Sequence, residues 1–346
     1  MRRYFLKRLV FIPITLLGVT LVVFALTRLV PGGPLERILM QARMNDFQDR
    51  ASKTTAASQS SLSDAQLAQL KAYYGLDKPW YEAYAQWLGH VLQGDLGQSY
   101  RYNEPVWDLI AARLPISAFY GVMTLLITYG ICIPLGVIQA IRDKGVLDKA
   151  SSAVLLLGYA IPNYVIGSLL VVLLAARTGW FPVGGFVGSD FDSLSFLGKM
   201  ADLFWHAALP LFCYVIGSLA FLTSIIKNTT IEVLAADYMR TATAKGLPTK
   251  SVLFRHALRN SLIPLATNFG QNLALLVSGS LLVEKLFDID GFGLLSYSAT
   301  LDRDYPVVMG ILLVSSLLLL VGNVLSDLLV MLVDPRVRFE KGDANG

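Results

Sequence analysis

The sequence predicts an all-α membrane protein: six transmembrane helices, a small helical extracytoplasmic domain between the first and second, and a cytoplasmic loop between the fourth and fifth. Three observations carry this prediction. Of the 346 residues, 54% are hydrophobic and only 16% charged, with a mean hydropathy of +0.55. Soluble domains hold roughly 45–50% apolar and about 25% charged residues. The apolar excess is gathered into long runs, and runs of about 18 or more mark bilayer spans. Lysine and arginine, finally, crowd into alternate loops.

The first span opens on Arg2, Arg3, Lys7 and Arg8, followed by an apolar stretch from Leu9 to Leu26. A signal-peptide core is only about 7–15 residues long and ends at small residues. This run is longer and leads into Thr27-Arg-Leu-Val-Pro-Gly-Gly-Pro34, so residues 1–30 are expected to stay as a retained helix with a cytoplasmic start. Residues 31–113 form the extracytoplasmic insertion. From Gln41 to Ser63 it is rich in Ser, Ala, Gln and Thr, the composition of a mobile loop. Ser63-Asp-Ala-Gln66 then has a capping-box pattern, with Leu67, Leu70 and Tyr74 on one helical face. Trp80, Tyr84, Trp87, Leu88 and Val91 continue an aromatic stripe. A lid packed on the spans and a substrate-reading surface both fit that stripe.

Residues 114–333 make a five-helix core, with spans at Leu114–Ile141, Ala150–Ala176, Ala207–Ile226, Leu262–Val283 and Pro306–Val333. Pro134, Pro162 and Pro210 fall inside these runs, where neighbouring helices can satisfy the freed backbone groups. Gly167, Ser168, Gly217, Ser218, Ser278 and Gly279 are small enough to let helices approach closely. Arg142, Lys144, Lys149, Lys227, Arg240, Lys245, Lys250, Arg255, Arg259, Arg336, Arg338 and Lys341 share the side of the basic start. The short opposite loops hold only Arg177, Lys199 and Arg303, which places both termini and the tail at 334–346 in the cytoplasm.

Several chemistries find no residues here. Ion-coupled carriers place ionisable groups within the membrane, yet spans two to five hold none between their ends; Arg28, Asp327, Asp334, Glu284 and Lys285 sit at span ends, within reach of headgroups. No phosphate-binding Gly-x-x-x-x-Gly-Lys-Ser/Thr occurs, since Gly198-Lys199 is followed by Met200. Cys132 and Cys213 lie in apolar runs as small hydrophobes, and His90, His206 and His256 are scattered, so no metal or disulfide framework is expected. A net charge of +4 is small for a nucleic-acid binder, and no nucleic-acid partner is expected. The chain reads as a passage without its own engine.

The loop at 227–261 is where force could enter. Val233, Ala236, Met239 and Ala242 or Thr243 keep helical spacing, and Gly246 with Pro248 ends that helix. Thr249 and Ser251 can start another, with Val252, Arg255 and Arg259 along it. Two short helices around a glycine turn make a rigid projection, although an amphipathic loop on anionic lipid also fits the basic residues.

Asp237-Tyr-Met-Arg-Thr-Ala-Thr-Ala-Lys-Gly246, Arg255-His-Ala-Leu-Arg-Asn260 and Ile263-Pro264 resemble the EAA-type coupling loop of ABC importers. Pro31-Gly-Gly-Pro34, Tyr74-Gly-Leu-Asp-Lys-Pro79, Gly94-Asp-Leu-Gly-Gln-Ser99, Arg113-Leu-Pro115, Ile133-Pro-Leu-Gly136, Asp302-Arg-Asp-Tyr-Pro306 and Val333-Asp-Pro-Arg336 extend the likeness along nearly the whole chain. It resembles a peptide/nickel-type ABC transporter permease, of the oligopeptide and dipeptide permease B subunit family. Gly158-Tyr-Ala-Ile-Pro162, Phe191-Asp-Ser-Leu194, Trp205-His206 and Lys227-Asn228 are most similar to its Yej-type subgroup, which implies peptide uptake and entry of peptide-nucleotide antibiotics such as microcin C.

The resemblance implies a bacterial inner-membrane subunit that pairs with a second related permease. ATPase subunits would hold ATP and Mg, leaving no cofactor in this chain, and a periplasmic binding protein would deliver peptide. It implies that Tyr238, Arg240, Thr241, Ala242, Lys245 and Gly246 contact the ATPase, with a second contact at Arg142–Lys149. The family's usual acidic residue is absent, because Arg240-Thr-Ala precedes Gly246. Asn163, Tyr164, Asn268, Gln271 and Asn272 are candidates to line the passage, and hydrogen bonding between helices fits them equally. Asp288, Asp290 and Phe292 lie in an outer loop suited to the binding protein, or to a simple turn. A nickel or other metal chelate remains open as substrate. The main alternative is an ion-coupled carrier or channel, which would work without an ATPase.

Overall fold

A computed structural model describes residues 2–29, 77–248 and 251–333. The expectations for the polar stretch 41–63, the helix opening at Ser63 and the tail at 334–346 lie outside the described residues. Every named element among those described is helical, and the one β-type pairing is an isolated antiparallel bridge between Gln98 and Pro105.

Among the described residues four helices are long and apolar enough to cross a membrane, or five if a bent pair counts as one span: α1 (Arg2–Leu29), α3 (Val106–Ile141), α6 (Phe196–Ala235) and α12 (Tyr305–Val333) are the four. Two of the six expected spans are interrupted. The run at 150–176 is divided into α4 (Val146–Ala160) and α5 (Asn163–Leu170), the latter continuing as a π-helical turn to Arg177. Those two segments meet at 91°. The cause is local: Pro162 cannot donate to the preceding turn, and Ile161 before it is driven to extended backbone at φ −91° and ψ 127°.

The run at 262–283 holds α9 (Ile263–Val277) and then α10 (Leu281–Leu286). Its break is at Gly279, whose φ is +78°. The 15 residues of α9 extend only about 22 Å, short of a bilayer core of roughly 30 Å. Pro134 and Pro210, by contrast, stay inside continuous helices.

The chain divides into two compact units. The smaller comprises 12–111 and 296–316. There Phe24 of α1, Ala83 of α2 (Trp80–Leu92) and Met309 of α12 form a core, flanked by Tyr84 and Trp87. Tyr84 also meets the Thr20 hydroxyl at 3.0 Å. Tyr84 and Trp87 of the aromatic stripe on α2 thus pack against α1, while Trp80 is exposed. Two motifs far apart in sequence also meet here. Asp304, 1% exposed, accepts from the Ser99 hydroxyl, from Tyr100 N–H at 3.1 Å and from Arg101 N–H at 3.2 Å.

The larger unit comprises 1–11, 112–295 and 317–346. Its main core gathers Tyr120, Ala207, Cys213, Tyr214, Val283 and Phe287. A second cluster holds Cys132, Val137, Leu222, Ile226 and Leu265. Arg8 pairs with Asp327 at 2.8 Å. Helices α9 and α12 touch backbone to backbone: a Cβ on Gly270 would overlap the carbonyl of Gly322, and Gly270 N–H donates to the Ser326 hydroxyl at 2.6 Å.

Candidate functional site

The loop expected to take force folds as a short helix on a small apolar base. Helix α6 stops where Ala236 turns extended, at φ −68° and ψ 148°, so the continuous helix expected from Val233 is broken there. Helix α7 then runs Asp237–Ala244. Met239 and Ala242 point inward and pack with Val252 and Ala257, bordered by Val233, Leu234 and Leu253. The spacing of three residues puts both on one face.

Within the expected contact set, Ala242 is 9% exposed and anchors the helix from beneath. Tyr238, Arg240, Thr241 and Lys245 occupy the exposed face. Arg240 pairs with Asp237 at 3.6 Å, and Asn260 donates an amide hydrogen to the Tyr238 hydroxyl at 2.9 Å. Gly246 follows at φ +78°, a left-handed conformation that ends the helix as its position predicts. Val252–Ala257 forms a π-helical stretch leading to α8 (Leu258–Ser261).

The loop at 142–149 is tied to α6. Lys227 Nζ reaches both carboxylate oxygens of Asp148, at 2.7 and 2.8 Å, and Asp143 at 3.3 Å. Asp148 also accepts from Lys144 N–H at 3.0 Å. Arg142 and Lys144 remain exposed. Gln139 closes the arrangement by donating to the Ser151 hydroxyl at 2.8 Å.

The candidate passage residues do not converge on one place. Asn163 lines a cavity of about 570 Å³ together with Tyr159, Tyr214, Ser218 and Ser280. Tyr164 is exposed and does not line it. On α9, Asn268 donates to the Pro264 carbonyl at 2.9 Å and Asn272 to the Tyr129 hydroxyl at 3.2 Å. Those are hydrogen bonds within the helix layer. Gln271 is exposed.

The loop at 288–292 is more built than a simple turn. Asp288 and Asp290 are exposed, Asp288 at φ 51°, and Asp290 accepts from Arg113 Nε at 2.9 Å. Phe292, at the start of α11 (Phe292–Asp302), is 1% exposed. Beneath it sits a group the sequence placed at a headgroup. Glu284 is 1% exposed, accepting from Leu294 N–H at 2.6 Å and from the Ser117 hydroxyl at 3.3 Å. Ser117 in turn accepts from Phe292 N–H at 2.8 Å. A Cβ on Gly291 would come within 2.5 Å of the carboxylate, and Gly279 and Gly293 crowd it as well. The glycines leave room for the carboxylate that any side chain at those positions would fill.

The described architecture is thus helical, membrane-spanning and equipped with an anchored projecting helix. Residues 132–339 match the family described as the binding-protein-dependent transport system inner membrane component. The peptidoglycan transport system permease protein YejB of Agrobacterium fabrum is 34% identical over 99% of this chain and all of its own length. The oligopeptide transport system permease protein AppB of Bacillus subtilis is 35% identical, covering 98% of this chain and 100% of its own. The inner membrane ABC transporter permease protein YejB of Escherichia coli O157:H7 is 33% identical over 98% and 100%. With the family matched from inside α3 past α12 and full-length relatives at this identity, the chain belongs to the binding-protein-dependent transport system inner membrane components, the permease subunits of ABC transporters.

Proposed function

We propose that this chain is a permease subunit of an ATP-driven importer that carries peptides across the bacterial inner membrane, both termini facing the cytoplasm. The observation that supports the reading best is α7: an exposed face of Tyr238, Arg240, Thr241 and Lys245 on a helix held from below by Met239 and Ala242. A projection fixed by its own core passes on displacement, whereas a loosely attached loop absorbs it. In this reading α7 docks on an ATPase subunit that holds ATP and Mg. The 142–149 loop, tied to α6 through Lys227, gives a second contact.

A second, related permease completes the passage, and ATP-driven closure of the ATPases rocks the two permeases between outward and inward access. A periplasmic binding protein delivers peptide to the outer face, where Asp288 and Asp290 are exposed. Peptide as cargo is supported by the names of relatives such as AppB, and the Agrobacterium protein's name extends the class to peptidoglycan. We extend the proposal to peptide-nucleotide antibiotics such as microcin C on the resemblance of the sequence motifs to Yej-type permeases alone.

The test is reconstitution. This chain, co-purified with its partner permease and ATPases, is placed in vesicles with the binding protein, and uptake of labelled peptide is followed with and without ATP. Gly246→Pro serves as the control, because proline cannot take a positive φ. ATP-dependent uptake that the substitution abolishes, with insertion and assembly intact, supports a permease driven through α7. Uptake by this chain alone under an ion gradient would overturn the reading in favour of an ion-coupled carrier.

A further inference from the structure

Two of the apolar runs are interrupted, and the interruptions come together. Ile161–Pro162, in the middle of the run at 150–176, and Gly279–Ser280, between α9 and α10, line the same cavity of about 570 Å³. Non-helical backbone at membrane depth is stable only where it is buried in protein or lines a wet cavity, since hydrocarbon leaves its polar groups unsatisfied. Ends of discontinuous helices supply such backbone groups for ligands. Pro162, the N-cap of α5, makes no side-chain cap to that helix.

Among the described residues the wall mixes apolar surface from Ala160, Ile161 and Pro162 with polar, uncharged groups: Tyr159, Asn163, Tyr214, Ser218 and Ser280 line it, without a carboxylate, ammonium, guanidinium or imidazole. Tyr214, on α6, accepts from Ser280 N–H at 3.2 Å and so holds the second interruption at the cavity wall. Room for the cavity comes from Gly217, where a Cβ would sit 3.3 Å from the Asn163 amide nitrogen. The volume lies within the roughly 300–1,000 Å³ of small-molecule sites.

We infer that this cavity is a binding site for a short uncharged stretch of peptide backbone, the place where this subunit holds its cargo during passage. Neutral donors and acceptors with no charged group suit amide N–H and C=O while leaving side chains unread. A charged group would favour particular peptides, and a purely apolar wall would strand the amides at a cost of several kcal/mol each. The inference deepens the peptide-importer reading and rests on it. It replaces the broader set of α9 amides with residues on both sides of two helix breaks.

The reconstituted complex tests it with Asn163→Leu and Ser280→Val. Leucine keeps the size of asparagine without its amide. Ser280 has extended backbone, φ −126° and ψ 105°, which a β-branched residue adopts without strain. Both variants are expected to raise the KM for uptake of a neutral tripeptide about three- to tenfold, the loss of one or two hydrogen bonds. Asn163→Cys gives an independent readout, because Cys132 and Cys213 are fully buried. Its reaction with a membrane-permeant maleimide is expected to slow at least threefold when the tripeptide and binding protein are present.

Unchanged uptake in both variants, with labelling indifferent to peptide, would overturn the site. So would labelling blocked by the partner permease without peptide, since the cavity would then be a contact between subunits. Failure of the unmodified complex to take up peptide with ATP would be a different result, refuting the importer reading itself.

Discussion

Replacing Gly270 with alanine probes the closest helix crossing in the larger unit. Its Cβ would overlap the carbonyl oxygen and carbon of Gly322 and come within 2.7 Å of Asn323 N. All three obstacles are backbone atoms, so no side chain can rotate out of the way, and α9 and α12 must move apart. Overpacking of this kind costs about 1–3 kcal/mol. Separation also stretches the 2.6 Å bond from Gly270 N–H to the Ser326 hydroxyl, worth about 1 kcal/mol more. The sum is about 2–4 kcal/mol. Gly322→Ala meets Gly270 from the other side, with its nearest atoms at 2.5, 3.0 and 3.1 Å, and should cost less. Ser326→Ala removes only the bond and should cost about 1 kcal/mol. Thermal unfolding of the detergent-purified complex, read by tryptophan fluorescence, gives the order Gly270→Ala, then Gly322→Ala, then Ser326→Ala. A neutral Gly270→Ala, or one milder than Ser326→Ala, would refute the backbone-to-backbone crossing.

Other substitutions test the remaining elements. Asp304→Ala removes the acceptor for Ser99, Tyr100 and Arg101 and should lower stability by about 2–4 kcal/mol, with faster proteolysis near 94–105 as the readout. Glu284→Ala strands Leu294 N–H and costs about 1–3 kcal/mol by thermal unfolding, while Glu284→Gln costs less because its amide oxygen still accepts. Met239→Ala empties the base of α7 and should lower stability by about 2–5 kcal/mol. In reconstituted vesicles that loosening should reduce peptide uptake more than ATP hydrolysis; equal losses would show that the base of α7 does not carry the coupling.

What the sequence makes legible, and what it hides, follows from the range over which each signal acts. The end of α7 was readable because Gly246 and Pro248 act through their own backbone, and the observed φ of +78° agrees. Run length identified α1, α3, α6 and α12 because twenty or more apolar residues need no tertiary information. The placement of Glu284 failed for the opposite reason. Its position at the end of an apolar run suggests a headgroup, whereas the fold closes three nearby glycines and the distant Ser117 into a pocket around it. The resemblance places Ala242, and the loop places Phe292, among candidate contacts, while the burial of each follows from packing that the sequence does not display.

The bend at Ile161–Pro162 is the most instructive case. Pro134 and Pro210 sit inside continuous helices, yet the same residue type at 162 turns the chain by 91°. Proline only weakens the local ladder, and what lies alongside decides whether the helix continues. At 162 the neighbour is a second break at Gly279–Ser280, bound to Tyr214. Both interruptions line the same cavity, whose polar groups offer non-helical backbone what lipid cannot supply. Hydropathy averaged along a run registers neither, because the residues that break it are themselves apolar or small. The feature that makes this bundle a candidate passage is therefore one that only the paired geometry of two distant segments brings out.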